Sequence, residues 1–427
     1  MNENRQNKIL NSLKNIKVEC LDRIQLDKVL FNISQFAIES SFTEAIKDCV
    51  KHIISDSFKI EFSDPDSSLL LVSYNYGRED HQRSWLDIKK LFDEYEEITI
   101  EELKFSKYNL LSLSTGLKSI ICFFKVFPYM MKICNYKESI YLTGRIVELA
   151  RLYNKLKKFK VHSTVSLMFF DGGSYENLIT QYLKCIGIKT VTMQHGQPVF
   201  HGLNTDRINQ TMILNFTSDY IIVTSEYSKK QFMYGGIKEK AIAVLGSWRK
   251  IEDYKESSNK LFTVFLDCPT FEGAIECNKR IMKLSEMLSY QLEMNYVIKL
   301  HPQDSPNHYA DVQLKKGIFL EKGRLIQDAL IETEFAILHM SGVYLDIMSK
   351  GVKSFCLITD MHFPLVMNDL DKFSSLDELE TKIQIWRQKD FNSKRGYIKE
   401  LTNYYLSPVD SKKRHKAFIC NLINNSK

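Results

Sequence analysis

Three familiar signatures of enzyme chemistry are missing from this chain of 427 residues. It contains no GxSxG stretch, so the nucleophile elbow of Ser-His-Asp hydrolases is excluded. No GxGxxG follows a candidate first strand, and the Gly-Lys-Ser/Thr of a P-loop is absent. The sequence therefore predicts neither a dehydrogenase-type dinucleotide site nor a P-loop NTPase.

Paired cysteines are missing as well. The nine cysteines include no CxxC pair and their number is odd, so the sequence predicts neither a disulfide framework nor a zinc site. We expect them to be reduced, most of them as core residues of a cytosolic protein. They are Cys20, Cys49, Cys122, Cys134, Cys185, Cys268, Cys277, Cys356 and Cys420.

Long apolar runs and a strong excess of charge are also lacking. The N-terminal stretch MNENRQNKILNSLKN has no apolar core of signal-peptide length, and no run approaches the roughly 20 residues that span a bilayer. The formal charge of +6 comes from 58 basic and 52 acidic side chains, and no basic run concentrates it, which argues against nucleic acid as a partner. We expect a cytoplasmic protein, neither secreted nor integral to a membrane, that favours anionic substrates or the anionic inner face of the plasma membrane.

Alternating strand and helix patterns are what the chain does contain. Residues 1–60 show helical spacing, strands alternate with helices over 160–246, and a second alternating set follows the polar stretch at 249–260. This alternation is typical of parallel, doubly wound sheets. The sequence predicts an α/β fold with two Rossmann-like domains facing a cleft: a helical N-terminal region at 1–60, a first domain at 61–248, and a second domain with C-terminal helices at 249–427.

Polar residues follow several of the predicted strands. In open parallel sheets, ligands bind beyond the carboxyl ends of the strands, where loops converge and helix N-termini present unpaired N–H groups. The stretches at these ends are therefore the candidate site. They are Asp171-Gly172-Gly173, Gln194-His195-Gly196, His301-Pro302 and Ser341-Gly342, the last opening a helix that carries Asp346.

A metal site is the first alternative for the histidines. Zinc needs three or four ligands, and the six-residue spacing between His195 and His201 matches no standard arrangement. The sequence therefore predicts no metal. It favours a cleft in which histidines and a helix N-terminus receive a nucleotide-activated donor.

A cationic stripe lies in the long apolar segment at 109–136. Lys118, Lys125 and Lys132 recur there every seven residues and so share one helical face. Such a stripe is typical of a helix that lies on a membrane. A domain helix with one solvated edge and a kink at Pro128 would show the same spacing, and both interpretations stay open.

The order of five stretches resembles a known group of enzymes. They are QHG at 194–196, SDYIIVTSEYSKKQFMYGGI, LGSWR, YVIKLHPQD at 296–304 and HMSGVYLDIMSKGVKSFC. Together they resemble the GT-B glycosyltransferases of bacterial surface polysaccharides: the capsule polysaccharide transferases, such as polysialyltransferases and Kdo transferases, and the teichoic acid CDP-glycerol glycerophosphotransferases. The resemblance covers about residues 160–365.

This resemblance implies a role for each motif histidine. His195, flanked by Gln194 and Gly196 in the acceptor loop, would be the general base, because an imidazole with a pKa of about 6.5 is available in its neutral form at neutral pH. His301 would clamp the donor phosphate and donate a proton to the leaving group. Pro302 would fix the backbone beside it.

The resemblance also implies a phosphate-binding turn at Ser341 and Gly342, where a hydroxyl, backbone N–H groups and the helix dipole would face the charge of the leaving nucleotide. Plainer explanations stay open at these positions. A hydrogen-bonded loop histidine, a strand terminator and a serine N-cap would also account for His195, His301 and Ser341.

Three carboxylates and an arginine complete the candidate site. Asp346 stands where the resembled enzymes usually carry a glutamate for the ribose hydroxyls, so the identity of the nucleotide stays open. Asp171 lies where an acceptor-facing loop is expected, and Asp206-Arg207 follow the HG loop. Either aspartate is predicted to orient His195 or to cap a helix.

The predicted function is a metal-independent glycosyltransferase. It would move a sugar or polyol-phosphate unit from a CMP-, CDP- or UDP-activated donor to a growing capsule or cell-surface glycan or a lipid-linked acceptor, with no cofactor besides the nucleotide-sugar co-substrate. Two alternatives stay open: a non-hydrolysing UDP-N-acetylglucosamine 2-epimerase, and a non-catalytic GT-B-like scaffold whose lysine face contacts the membrane.

Overall fold

The structure is a computed structural model. It describes residues 2–63, 67–75, 79–102, 110–194, 196, 198, 210–247, 251–257, 259–269, 273–321, 324–339, 341–359, 368–407 and 409–426.

Helices and strands alternate along most of the chain. The helices are α1 Asn2–Leu13, α2 Leu26–Val29, α3 Phe31–Glu39, α4 Phe42–Ile54, α5 Glu79–Lys89, α6 Leu113–Met131, α7 Tyr136–Leu156, α8 Ser174–Cys185, α9 Thr211–Leu214, α10 Glu226–Tyr234, α11 Ala274–Gln291, α12 Ile326–Leu330, α13 Val343–Ser349, α14 Leu376–Gln388, α15 Phe391–Leu406 and α16 Ser411–Asn424. The strands are β1 Phe58–Ser63, β2 Leu69–Asn75, β3 Glu96–Glu102, β4 Val165–Met168, β5 Lys189–Met193, β6 Tyr220–Val223, β7 Ile242–Val244, β8 Leu261–Phe265, β9 Asn295–Lys299, β10 Gly317–Phe319, β11 Phe335–Leu338, β12 Lys353–Leu357 and β13 Lys372–Phe373.

The first sheet joins strands β1 to β7. Its order in the described residues is β1-β3-β2-β4-β5-β6-β7, with β1 antiparallel to β3 and the other neighbours parallel. Because β2 has β3 on one side and β4 on the other, the winding direction of the chain reverses between β2 and β4. All residues of β4 are buried, as expected for a parallel strand that is covered on both faces.

The second sheet joins β8 to β13 in the order β10-β9-β8-β11-β12-β13, and its neighbouring strands are all parallel. Counted from β8, this is the 3-2-1-4-5-6 order of dinucleotide-binding folds, with its switch point between β8 and β11. The two sheets and their helices confirm the predicted α/β class with two Rossmann-like domains.

The chain divides into two compact units. The first comprises Met1–Val223, Ser228–Leu245 and Asp410–Lys427, and the second comprises Thr224–Tyr227 and Gly246–Val409. The C-terminal helix α16 thus belongs to the first unit, although the predicted limits assigned it to the second domain.

The N-terminal helices are part of the first unit rather than a separate region. Ile9, Leu13 and Leu30 lie in the same buried cluster as Leu70 and Ile98 of the sheet. Helices this short cannot bury their apolar faces alone, so they share the core of the sheet. The predicted region 1–60 therefore does not stand apart, and its last residues already belong to β1.

Helix α7 is buried along most of its length. It begins at a capping box in which Glu138 N–H donates to Asn135 Oδ1 at 2.9 Å and Asn135 N–H donates to Glu138 Oε2 at 3.3 Å. Helices α4 and α6 both pack against α7. α7 is therefore an inner helix of the first unit that α4 and α6 cover.

Candidate functional site

The carboxyl ends of β8, β9, β11 and β12 bring polar residues to one edge of the second sheet. Because these four strands are parallel neighbours, the residues that follow them lie along the same edge. We call this the switch-point edge. Its polar residues are Asp267 after β8, His301 after β9, His339 and Ser341 after β11, and Thr359 after β12.

A hydrogen-bonded imidazole connects three of these strand ends. His339 Nδ1 lies 2.7 Å from Asp267 Oδ2, and His339 Nε2 lies 3.0 Å from Thr359 Oγ1. In the neutral imidazole, Nδ1–H donates to the carboxylate and Nε2 accepts the hydroxyl proton. The side chains of His339 and Asp267 are each only 3% exposed, so water does not compete for this pair.

Two further residues, Asn278 and Cys356, hold the ends of this group in place. Asp267 N–H donates to Asn278 Oδ1 at 2.9 Å, and Asn278 Nδ2 donates to Asp267 O at 3.1 Å and to the Tyr309 hydroxyl at 2.8 Å. Cys356 Sγ–H donates to the carbonyl of His339 at 2.9 Å. The imidazole is thus fixed through both its ring and its backbone.

Asp267 and His339 are not among the site residues predicted from the sequence. Both fall inside the stretches LFTVFLD and FAILHM, which were interpreted as strands. The available signal was a lone polar residue at the carboxyl end of an apolar strand. Their pairing could not be inferred, because it depends on β8 and β11 being neighbours.

The loop after β9 fixes the His301 ring. Gln303 N–H donates to His301 Nδ1 at 3.2 Å, which in the neutral imidazole puts the proton on Nε2. Asp304 N–H donates to the His301 carbonyl at 2.9 Å, and Tyr309 donates its hydroxyl proton to Asp304 Oδ2 at 2.6 Å. Cys268, after β8, donates to Gln303 Oε1 at 3.2 Å, which connects this loop to the neighbouring strand end.

The turn after β11 differs in one respect from the prediction. α13 begins at Val343 and Gly342 holds the cap position, so Ser341 does not open the helix. The Ser341 hydroxyl accepts a bond from Val343 N–H at 3.4 Å. Since α13 has only 7 residues, its dipole is small, and what Ser341 offers a ligand is mainly its hydroxyl group.

The other residues predicted to bind the nucleotide-activated donor follow His301 and Ser341 in the sequence. Pro302 is exposed directly after His301, and Asp346 is half-buried in the first turn of α13. The second unit thus brings His301, Pro302, Ser341, Gly342 and Asp346 to the switch-point edge or to the first turn of its helix. Their roles toward a donor remain predictions.

In the first unit, Asp171 is a buried carboxylate. Its Oδ2 accepts bonds from Ser218 N–H at 2.8 Å, the Ser218 hydroxyl at 2.6 Å and Thr217 N–H at 3.2 Å. Oδ1 has no hydrogen-bond partner among the described residues. Burial raises the pKa of Asp171, although the three donors oppose this shift. Asp171 does not cap α8, whose cap residue is Gly173.

The HG loop is described only at its edges. Gln194 N–H donates to the carbonyl of Ile222 on β6 at 2.9 Å, and Gln194 Nε2 donates to the Gly196 carbonyl at 2.7 Å. Gly196 has a φ of 70°, a left-handed conformation that favours glycine. His195, Asp206 and Arg207 lie outside the described residues, so their predicted roles stay predictions.

A second buried carboxyl group lies in the first turn of α8. Glu176 is 2% exposed, and neither of its carboxyl oxygens has a hydrogen-bond partner within the described part of the chain. Burial raises the pKa of Glu176 to about 8. Nothing in the sequence marks Glu176, since SYENLITQYLKC is an ordinary helical stretch.

Metal ligands are not grouped in the part of the chain that the structure describes, where no cluster of three or more His, Cys, Asp or Glu side chains is arranged to hold an ion. The polar side chains described at the switch-point edge are imidazoles, hydroxyls and a carboxylate.

Solved structures show which fold this chain shares. A structure of S. aureus MnaA with UDP has a TM-score of 0.52 at 10% identity, covering 83% of this chain and 97% of the other. The UDP-GlcNAc 2-epimerase of Methanocaldococcus jannaschii, in complex with UDP-GlcNAc and UDP, has a TM-score of 0.51 at 12% identity, covering 83% and 99%. The UDP-GlcNAc 2-epimerase of Neisseria meningitidis, bound to UDP-GlcNAc, has a TM-score of 0.53 at 12% identity, covering 83% and 99%.

No family model matches the sequence, and no curated protein matches it. At identities of 10 to 12%, the likeness to solved structures concerns the fold. The chain therefore has the GT-B type of fold, with two Rossmann-like domains.

Proposed function

We propose that this chain is a glycosyltransferase that uses a nucleotide-activated donor. It would transfer a sugar or polyol-phosphate unit from a CMP-, CDP- or UDP-activated donor to a capsule or other cell-surface glycan. The observation that carries this proposal is the switch-point edge of the second sheet. Doubly wound sheets with this strand order bind nucleotides at that edge, and His301 and Ser341 supply polar groups there.

The proposed roles of the residues at the donor site follow from the chemistry of the leaving group. As the bond between the transferred unit and the nucleotide phosphate breaks, negative charge grows on the phosphate oxygen. His301 Nε2–H and the Ser341 hydroxyl are the donors that would stabilise this charge, and a fixed ring costs little reorganisation at that moment. Protonated His301 would also give a proton to the leaving phosphate, at the cost of the bond that its Nδ1 accepts from Gln303 N–H.

The acceptor side rests on His195. It would take the proton from the acceptor hydroxyl as the oxygen of that hydroxyl forms the new bond to the transferred unit. Gln194 and Gly196 hold the chain on either side of this residue. Asp171 would act behind it, since its Oδ1 has no hydrogen-bond partner among the described residues.

Kinetics of three alanine variants test the mechanism. We expect His195→Ala and His301→Ala each to lower the transfer rate by about a hundredfold or more without loss of folding. His162→Ala is the matched control, because His162 is an exposed histidine ahead of β4, at the end of that strand opposite to Asp171. Near-native rates in both His195→Ala and His301→Ala would show the mechanism to be wrong.

Thermal denaturation with CMP, CDP, UDP and GDP identifies the nucleotide. A ligand present at about 100 times its Kd adds about 2.7 kcal/mol of stability to the folded state. We expect one cytidine or uridine nucleotide to raise the melting temperature more than GDP, and His301→Ala to reduce that shift. If none of the four changes the melting temperature, the donor-site assignment is wrong.

A second candidate function is a UDP-N-acetylglucosamine 2-epimerase. It is favoured by the solved structures, two of which are UDP-GlcNAc 2-epimerases and all three of which hold UDP or UDP-GlcNAc. Such an enzyme needs no acceptor. Incubation with UDP-GlcNAc alone, followed by NMR, separates the two functions: formation of UDP-ManNAc supports the epimerase, and turnover that requires an added glycan acceptor supports the transferase.

A further inference from the structure

Helix α6 exposes apolar side chains that a folded protein normally buries. Leu113 is 91% exposed and Phe124 is 70% exposed. The other large apolar residues exposed on this helix are Leu117, Ile120, Ile121, Tyr129 and Met131. An exposed apolar patch of this kind on a folded unit marks an interaction surface.

The three most exposed apolar residues occupy one face of α6. At 100° per residue, Leu113, Leu117 and Phe124 fall within about 40° of one another, while the buried Val126 and Met130 fall on the far side of the helix. The lysines of the cationic stripe, Lys118, Lys125 and Lys132, form a third face beside the apolar one. The segment Leu113–Met131 contains no aspartate or glutamate.

Helix α4 carries a matching stripe. Phe42, Ile46, Val50 and Ile54 recur every four residues and are all exposed. The helix surface around them includes a groove of about 470 Å³ that Lys47 and Lys51 line together with Ile46, Val50 and Ile54.

Helices α4 and α6 lie side by side in opposite directions. At one end, Leu111 N–H, just before α6, donates to the carbonyl of Ile54 at 2.9 Å. At the other end, the ring of Tyr136 contacts both Phe42 at 6.0 Å and Phe127 at 5.8 Å between centroids. Because both helices pack on the buried α7, their exposed stripes point away from it on the same side. We call this surface the α4–α6 face.

The charges around the α4–α6 face are mostly positive. Lys118, Lys125 and Lys132 line α6, and Lys47 and Lys51 line α4. Lys125 lies 3.2 Å from the exposed Glu19, and Lys132 lies over the ring of Tyr129 at 5.5 Å.

The acidic residues of α4 already have partners. Glu44 belongs to the capping box with Ser41, and Asp48 pairs with Arg145 at 3.0 Å. The face thus combines exposed apolar side chains with a surplus of lysine.

We propose that the α4–α6 face binds an anionic lipid bilayer. Apolar side chains such as Leu117 and Phe124 would enter the boundary between headgroups and acyl chains, and the flanking lysines would contact anionic headgroups. In a second copy of the chain, paired faces would set lysine against lysine, and the acids beside the face, Glu19 and Glu44, already bond to Lys125 and to Ser41. None of the described helices combines the length and the hydropathy needed to cross a bilayer.

Vesicle sedimentation tests this proposal without any substrate, so its failure is separate from failure of the proposed function. The full chain is mixed with phosphatidylcholine vesicles, or with vesicles that also contain phosphatidylglycerol. We expect binding to the anionic vesicles only, weakened by added salt because salt screens the lysines.

Two sets of variants locate the contact. We expect Leu117→Ser and Phe124→Ser each to lower the partition coefficient about tenfold or more, while Ile331→Ser, at an apolar residue 76% exposed in the second unit, leaves it unchanged. Lys118→Gln, Lys125→Gln and Lys132→Gln combined should lower it about a hundredfold. The matched control combines Lys399→Gln, Lys412→Gln and Lys413→Gln at exposed positions. Far-UV circular dichroism checks that each variant is folded.

Three outcomes would overturn the proposal. One is that the wild-type chain does not sediment with anionic vesicles. Another is that the control triple weakens binding as much as the α6 triple. The third is a wild-type chain that elutes as a dimer, becomes monomeric with Leu117→Ser and shows no vesicle binding, in which case the face joins two copies of the chain.

Discussion

The two units place polar residues at corresponding strand ends but use them differently. At the switch-point edge of the second unit, side chains from different strands bond to one another, as Asp267, His339 and Thr359 do. In the first unit, the Asp171 carboxylate bonds mainly to backbone N–H groups, and the Glu176 carboxyl group has no hydrogen-bond partner in the described residues.

This difference shows that position at a strand end does not determine how a polar side chain is held. A cross-strand network fixes the orientation of a ring, as it does for His339. A buried carboxyl group without partners instead shifts its own protonation. Mutations in the network of the second unit should therefore lower the free energy of unfolding. Mutations of the buried carboxyl groups of the first unit should change how the free energy of unfolding depends on pH.

The largest expected effect is that of removing Asp267. We expect Asp267→Ala to lower the free energy of unfolding by about 4 kcal/mol, because it leaves the buried His339 without its carboxylate partner. Asp311→Ala removes an exposed ion pair with Lys279 and should cost less than about 1 kcal/mol. Urea denaturation measures both, and equal costs would contradict the importance of the network.

Glu176→Gln should remove a loss of stability that the wild-type chain suffers at alkaline pH. A carboxyl group whose pKa rises to about 8 on folding binds more protons in the folded state than in the unfolded state. Stability therefore falls as pH rises from the ordinary glutamate value toward 8, by up to about 1.36 kcal/mol for each pKa unit, and levels off above it.

Glutamine cannot ionise, so it removes this slope. Urea denaturation of both proteins at several pH values between 4 and 9 would show the two curves separating as pH rises. Parallel curves over that window would contradict the assigned protonation of Glu176.

Two double-mutant cycles, one in each unit, compare the two units directly. For Asp267→Ala with His339→Ala, we expect a coupling free energy of about 2 kcal/mol. For Asp171→Ala with Ser218→Ala, we expect about 1 kcal/mol, because Asp171 also accepts bonds from two backbone N–H groups that remain in the Ser218 variant. The reverse order of the two couplings would contradict the comparison.

The smallest effect is expected at Thr359. Thr359→Val keeps the shape of the side chain but removes the hydroxyl at 3.0 Å from His339 Nε2, and should cost about 1 kcal/mol. Thr381→Val, at an exposed helix position, should change stability by less than about 0.5 kcal/mol. Equal changes at the two positions would mean that the hydroxyl contributes nothing to the network.

The structure contains the strands and helices that the sequence predicts where the spacing of apolar residues is regular. KTVTM, DYIIVTS and YVIKL all form strands, because short apolar runs bounded by turns are typical of buried parallel strands. β1 and β3 were missed: FKIEFS lies in a region interpreted as helical, and EEITIEE is mostly charged. What identifies them is their pairing with each other, which a single sequence does not give.

The candidate site was predictable in part for the same reason. His301 and Ser341 were found because each directly follows an apolar strand. Asp267 and His339 were not, since they are 72 positions apart in the sequence and meet only through the strand order. Glu176 is notable because it is buried, and the sequence of a helix does not show which of its polar residues are buried.

The distance in sequence between Asp267 and His339 also bears on when this part of the molecule forms. A loop spanning 72 positions must close before the two side chains meet, and closing it costs chain entropy. We therefore expect the imidazole to find its partner late in folding, after β8 and β9 have paired locally. A nascent chain that ends before β11 would contain Asp267 but not His339, to which the Asp267 carboxylate bonds.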